Sequence, residues 1–328
     1  VGILVVGGAR REMIVPFLRS SMVGSYDLCA HRSFIEYNIG IKQPYNAASM
    51  KGTIVHKVME ILAQSKLCQQ DGDVGFDDEM LGEVYVDEIQ PISILSRVFE
   101  KYQEENPQMD LDEAMYKETS RLVKKAIAYS GGEYDPRNLD IVAVEHPFDM
   151  VINKPWAKYS YESPAGIVEG QLALKGTIDL VIKHDDNTYE IRDYKTSARA
   201  WDWAKNSEKT DENIYKDFQI MLYYYAACHA FPKIKNILFT IYFINVDKPM
   251  LVTFDRTDLP MIENVIRKKF ETMVADKKPK LNVSFRCKFC PFSKDIQKGT
   301  KKTVCEFFRD EIKTIGFDRT MAEHARWD

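Results

Sequence analysis

Nothing in the 328 residues approaches the run of about 20 apolar residues that a membrane-spanning helix needs. The longest apolar stretch, from Ile237 to Val246, has the length of a strand. Glycine (16) and proline (13) are too sparse, and hydrophobic residues at 45% too plentiful, for a disordered or collagen-like chain. Positive charge is not in excess: 45 Lys and Arg face 49 Asp and Glu, so no polybasic footprint covers the whole chain. A Gly-x-x-x-x-Gly-Lys-Ser/Thr loop is missing, and Val5-Val6-Gly7-Gly8-Ala9-Arg10 falls short of a Gly-x-Gly-x-x-Gly unit. The apolar start, Val1 to Gly8, has neither a basic leader nor a cleavage pattern, so a cytoplasmic, intracellular protein is expected. Six cysteines in a chain of this length, without a secretion signal, argue against a disulfide framework. Metal ligation and ordinary burial remain for them.

What is present is unevenly distributed. Asp71 to Glu88 holds eight acids and no Lys or Arg; Arg267 to Lys302 holds twelve Lys and Arg against three acids. A basic segment of this kind suits either phosphates or plain solvent. Helical periodicity predicts helices over about 20–36, 48–65, 90–105 and 111–130, with Ser20 and Ser21 as caps and Gly72 to Gly82 as an acidic loop. From Leu139 the period changes to two. Strands are expected at Ile141–Ile152, within Gly166–Lys183, at Thr188–Lys195 and at Ile237–Val246, with helices near 213–230 and 259–275. This order gives an α/β or α+β fold. One domain spans 1–328: a helical region 20–135 with an insertion at 71–88, a sheet core 139–255, and a basic cysteine-bearing region 256–328.

The sharpest signal lies in Gly176-Thr177-Ile178-Asp179 and Asp193-Tyr194-Lys195-Thr196, separated by the turn triplet Asp185-Asp186-Asn187. A hairpin centred on Asp186 pairs residues whose numbers sum to 372, which sets Asp179 opposite Asp193 and Val181 opposite Ile191. Lys195 shares the Asp193 face by the alternation of a strand. Opposed carboxylates repel unless something binds between them, and Mg²⁺ or Mn²⁺ suits carboxylate oxygens. A surface hairpin with an Asp–Lys pair is the ordinary alternative. His56 sits on an apolar helix, where most histidines are simply packed. Gln219 and Tyr223, at i and i+4, share a helix face that could cover the hairpin. Glu145 is the weakest candidate, with a surface place on its strand as the alternative.

Taken together, His56 in Gly-x-x-x-His, Asp179 in Gly-x-x-Asp, Asp193-Tyr194-Lys195-Thr196 and Gln219-x-x-x-Tyr223 make the chain resemble the RecB-like branch of the PD-(D/E)XK nucleases, over Ser20 to Cys305. The resemblance implies a restriction-endonuclease-like αβββαβ core, a central mixed sheet flanked by helices. It implies metal ligation by His56, Asp179, Asp193 and the Tyr194 carbonyl, water activation by Lys195, and a supporting role for Gln219 and Tyr223. The implied reaction is Mg²⁺- or Mn²⁺-dependent hydrolysis of DNA, as an exonuclease on single strands or ends. A structure-specific or trimming endonuclease, and a non-catalytic DNA-end-binding module of a helicase–nuclease assembly, are the alternatives.

The cysteines extend the resemblance to the iron–sulfur subgroup that includes AddB and the CRISPR-associated exonucleases. It implies that Cys29, Cys287, Cys290 and Cys305 hold a [4Fe–4S] cluster, with Zn²⁺ as the alternative. Fourteen residues separate Cys290 from Cys305, where that subgroup has five, so Lys294–Lys302 reads as a basic insertion. Cys68 and Cys228 are expected to pack in the core. The basic segment would track phosphates, and Phe285, Phe289 and Phe292 would either stack bases or pack around the cysteines. Any ATP-driven motor would belong to a helicase or recombination partner; the oligomeric state is left open.

Overall fold

The change of period near Leu139 is where the sheet begins. A computed structural model describes residues 13–43, 46–163, 166–202, 207–276 and 279–324. The glycine pair at Gly7 and Gly8 lies outside them. The chain divides into two compact units, one from residues 45–148 and 177–259, the other from the described parts of 1–44, 149–176 and 260–328. Among the described residues no helix is long and apolar enough to cross a membrane.

In the first unit the longest helix is α1 (Ala47–Asp71). It opens with a reciprocal cap: Asn46 accepts from the Ser49 amide and Ser49 Oγ accepts from the Asn46 amide, both at 3.0 Å. It closes at Gly72, whose left-handed φ of 83° suits the C-terminal cap. The expected end at Ser65 is passed because Leu67 and Cys68 continue the apolar stripe. Helices α2 (Pro91–Glu105) and α3 (Glu113–Ala128) pack on α1 through Leu95, Val98, Leu122 and Val123. The acidic segment is a hairpin rather than a loop, Gly75–Asp78 against Gly82–Tyr85. Its turn is organised by Asp78, which accepts from the Met80 and Leu81 amides and pairs with Lys57 at 2.7 Å.

The sheet orders β1 (Ile141–Val151), β2 (Ala173–Asp185), β3 (Thr188–Lys195), β4 (Asn236–Phe243) and β5 (Lys248–Phe254), each paired with the next. β2 and β3 are antiparallel, β4 runs parallel to β3, and β5 returns antiparallel to β4. Parallel β3 and β4 require a crossover, and helix α4 (Phe218–Ala230) lies within it. The 372 register holds from Leu180↔Arg192 through Lys183↔Tyr189 and slips by one residue only at the turn, Asp185↔Thr188. Strand β5 escapes the sequence reading because Pro249 argues against a strand; as the sheet's edge it tolerates one.

In the second unit Phe17–Leu18 pairs in parallel with Ala173–Leu174 at the start of β2, and Lys158–Ser163 forms a ribbon with Gly166–Gln171. The helix expected over 20–36 is broken. Ser20–Leu28 ends at Cys29, whose backbone is extended, and Ala30–Ser33 resumes before a π turn at Phe34–Asn38. The residue before the first turn is Arg19, not a serine.

Candidate active site

The hairpin register delivers Asp179 and Asp193 one step beyond the last paired residues, Leu180 and Arg192. Helix α1 brings His56 to them. Gly52, one turn earlier, permits the approach, because a Cβ there would stand 3.2 Å from Thr196 Oγ1, just past the end of β3. His56 Nδ1 lies 3.3 Å from Asp179 Oδ2. The ligand atoms of His56, Asp179 and Asp193 all fall within 4.8 Å of one another. Lys195 Nζ is 2.6 Å from Asp193 Oδ2.

Asp193 is 2% exposed, and neither of its carboxylate oxygens has a partner in hydrogen-bonding geometry. The close Lys195 contact is an ion pair. Burial, opposed by Lys195 and reinforced by the charge of Asp179, pushes the Asp193 carboxyl up to about 6. For Asp179, burial acts upward, but the His56 hydrogen bond and charge prevail and hold it below its ordinary value. His56 is raised despite burial, because Asp179 favours its cation. Lys195 is also raised against burial, by Asp193 and Asp179, so the side chain stays an ammonium.

A buried carboxylate, a half-buried one and an imidazole, with ligand atoms within 4.8 Å of one another, fit a hard divalent cation. Such an ion would add a second cation to the one, Lys195, that the buried Asp193 already faces. Tyr194 lines the same cleft, while its hydroxyl points away and bonds the Tyr134 carbonyl at 2.9 Å. On α4, Tyr223 is hydrogen-bonded to Gln219 and pushed up to about 12 by burial and by the charges of Asp179 and Asp193. The structure thus brings His56, Asp179, Asp193, Lys195 and Tyr223 together, with Gln219 bonded to Tyr223 and Tyr194 in the cleft lining.

Two acids that sequence reasoning undervalued join them. Glu145 lines the cleft with His56 and Asp179, from a left-handed backbone φ of 45° within β1. Burial, then the charges of Asp179 and Glu60, raise its carboxyl to about 7. Glu60 lines the cleft as well and is paired with Lys57 at 2.7 Å. Its position four residues after His56, on the same helix face, was the available signal.

The cysteines form a second cluster, in the other unit. The extended backbone at Cys29 sets its Sγ 3.4 Å from the Asn282 amide, in the loop that leads to Cys287. Cys305 is pushed up to about 12 by burial and then by Cys29, Cys290 and Cys287, so its sulfur senses all three. Cys290 is raised by burial and partly relieved by Arg32. Among the described residues, no three of the four sulfurs lie within 4.8 Å of one another. Cys68 and Cys228 are buried apart from them, as expected; Cys68 Sγ donates to the Gly75 carbonyl.

Comparison with known proteins gives a family model and a set of solved structures; no curated protein matches the chain. A candidate exonuclease from Eubacterium rectale is similar over 85% of this chain and 90% of its own, at 11% identity and a TM-score of 0.47. The protein SSO0001 is similar over 72% of this chain and 94% of its own, at 14% identity and a TM-score of 0.27. The model of the PD-(D/E)XK nuclease superfamily matches residues 21–294, which include the hairpin carboxylates, His56, Lys195 and three of the four clustered cysteines. By that match, and with a mixed sheet flanked by helices, this chain belongs to the PD-(D/E)XK nuclease superfamily.

Proposed function

We propose that the chain is a Mg²⁺- or Mn²⁺-dependent deoxyribonuclease that hydrolyses phosphodiester bonds, acting as an exonuclease on single-stranded DNA or DNA ends. The observation that carries this reading is the buried Asp193 carboxylate, ion-paired to Lys195 and with its ligand atom within 4.8 Å of those of His56 and Asp179. His56, Asp179, Asp193 and the Tyr194 carbonyl would hold the cation, which when bound supplies Lewis-acid stabilisation of phosphoryl charge. Lys195, which its two carboxylate neighbours hold as an ammonium in the metal-free chain, would orient the attacking water or offset charge on the phosphoryl oxygens. Tyr223, kept protonated and held by Gln219, is a second donor on the same side. Glu145 adds a carboxylate to the cleft wall.

The same reading assigns a [4Fe–4S] cluster to Cys29, Cys287, Cys290 and Cys305. A single zinc ion is the alternative occupant of the same four thiolates. Any unwinding motor would come from a helicase or recombination partner. The test is degradation of 5′- and 3′-labelled single-stranded DNA with Mg²⁺ or Mn²⁺. Loss of cleavage in both Asp193→Ala and Lys195→Ala is expected, and the product ladder gives polarity. A folded protein that binds DNA but leaves every end structure intact would turn the reading to a binding module.

A further inference from the structure

Of the large apolar side chains that stand exposed among the described residues, four fall within fourteen positions: Val283, Phe285, Phe289 and Ile296. Phe289 is 73% exposed and Phe285 50%, whereas Phe292, three residues on, is 2% exposed and belongs to the packing. The two exposed rings bracket one short 3-10 helix, Phe285–Phe289. That helix is fastened on both sides. Asn282 Nδ2 donates to the Leu28 carbonyl at 3.0 Å, and Ser293 Oγ donates to the Cys287 and Cys290 carbonyls. The backbone that carries the two rings is therefore tied to Leu28 and to the cysteine loop.

Their surroundings are cationic. From Lys280 to Lys302 there are seven Lys and Arg against one acid, Asp295. All six lysines are exposed, and the Arg286 guanidinium lies 5.6 Å from the Phe285 ring centre. An exposed aromatic pair calls for an occupant. Lysine is depleted in the cores of protein–protein interfaces, while aromatic faces set among cations are the chemistry that holds single strands. We infer that Phe285 and Phe289 form a base-stacking platform for single-stranded nucleic acid, with the 280–302 lysines taking its phosphates. This deepens the nuclease reading and rests on it for the nature of the polymer.

The test uses fluorescence anisotropy of the full chain with labelled dT20, rU20 and a blunt 20-base-pair duplex, in EDTA so that nothing is cut. The double variant Phe285→Ala/Phe289→Ala should bind dT20 and rU20 at least tenfold more weakly, because stacking reads the base face and not the sugar. Its duplex affinity should change less than twofold, and the salt dependence of dT20 binding should persist. Unchanged circular dichroism and an unchanged metal content at the cysteines establish that the variant is folded. Equal losses on single strand and duplex would overturn stacking in favour of plain phosphate contacts. Unchanged dT20 affinity would overturn the platform, and a fall in the variant's sedimentation mass would then assign the rings to contact between chains. A parent chain that binds dT20 through the phenylalanines yet leaves DNA intact with Mg²⁺ or Mn²⁺ would fail the nuclease reading alone.

Discussion

Strand β3 carries buried charge on both faces, and the two faces are treated in opposite ways. Glu190 and Arg192 are both about 4% exposed at the side chain and are satisfied in full: Arg192 Nε donates to Glu190 at 2.7 Å, and Nη2 donates at 3.1 Å. Arg192 Nη1 also donates to the Glu133 carbonyl, its guanidinium stacks on Tyr134, and His184 reaches the second Glu190 oxygen at 2.7 Å. Next to them in sequence but on the other face, Asp193 is as deeply buried, with neither oxygen in a proper hydrogen bond. The carboxyls respond accordingly. Against burial, Arg192 and His184 hold Glu190 below its ordinary value, while burial takes Asp193 up to about 6. A completed network holds the sheet together. A less complete one, on the same strand, is where the cation is proposed to bind.

That contrast is easiest to break by mutation. Asp193→Asn should reduce metal-dependent cleavage by a thousandfold or more, yet raise the stability of the metal-free chain at pH 8 by on the order of 1–3 kcal/mol, since it removes a buried charge. Glu190→Gln should do the reverse to stability, costing about 3–5 kcal/mol by leaving Arg192 buried without its counter-charge. Urea unfolding in EDTA measures both, and equal signs would erase the distinction between the two faces.

The pH dependence should separate them as well. For Asp193 the folded value of about 6 exceeds the ordinary 3.8. Its contribution to stability is thus fully present below about pH 4 and lost as pH rises through 6. For Glu190 the folded value is depressed, so its contribution is present above the ordinary range and lost as pH falls. Metal-free unfolding curves for Asp193→Ala should lack the first of these changes. Mn²⁺ affinity should rise between pH 5.5 and 7.5, as Asp193 and then Glu145, at about 7, give up their protons.

A smaller effect is expected at the contact that sets α1 against the hairpin. Gly52→Ala places a methyl 3.2 Å from Thr196 Oγ1, so the threonine must give by a few tenths of an ångström. Cleavage should fall about tenfold while stability changes by less than about 1 kcal/mol. The addition of Thr196→Ala should restore most of the rate. If the four cysteines hold the proposed metal group, Cys287→Ser should lower the iron or zinc content of the purified chain, whereas Cys68→Ala, buried apart from them, should not.

The hairpin was legible because period-two alternation and a polar turn triplet leave one register, and that register put Asp179 and Asp193 together. The helices were legible as elements, but not in their ends: a capping glycine carried α1 to Asp71, and the break at Cys29 lies in a pattern that reads as continuous helix. Glu145 was hard to place because alternation cannot announce a residue in left-handed backbone inside a strand. Nor does sequence distinguish the full satisfaction of Glu190 from the deprivation of Asp193, three residues apart. That difference depends on Glu133, Tyr134 and His184, which only the fold assembles.

The most direct test of the central claim, that the unsatisfied Asp193 carboxylate is the acceptor for a catalytic divalent ion, is Mn²⁺ binding followed by electron paramagnetic resonance and thermal unfolding, on the parent chain and on Asp193→Asn. The parent should bind Mn²⁺ and gain stability with it, while the variant, more stable at the start, should show no such gain. Equal binding and equal stabilisation of both proteins would contradict the claim.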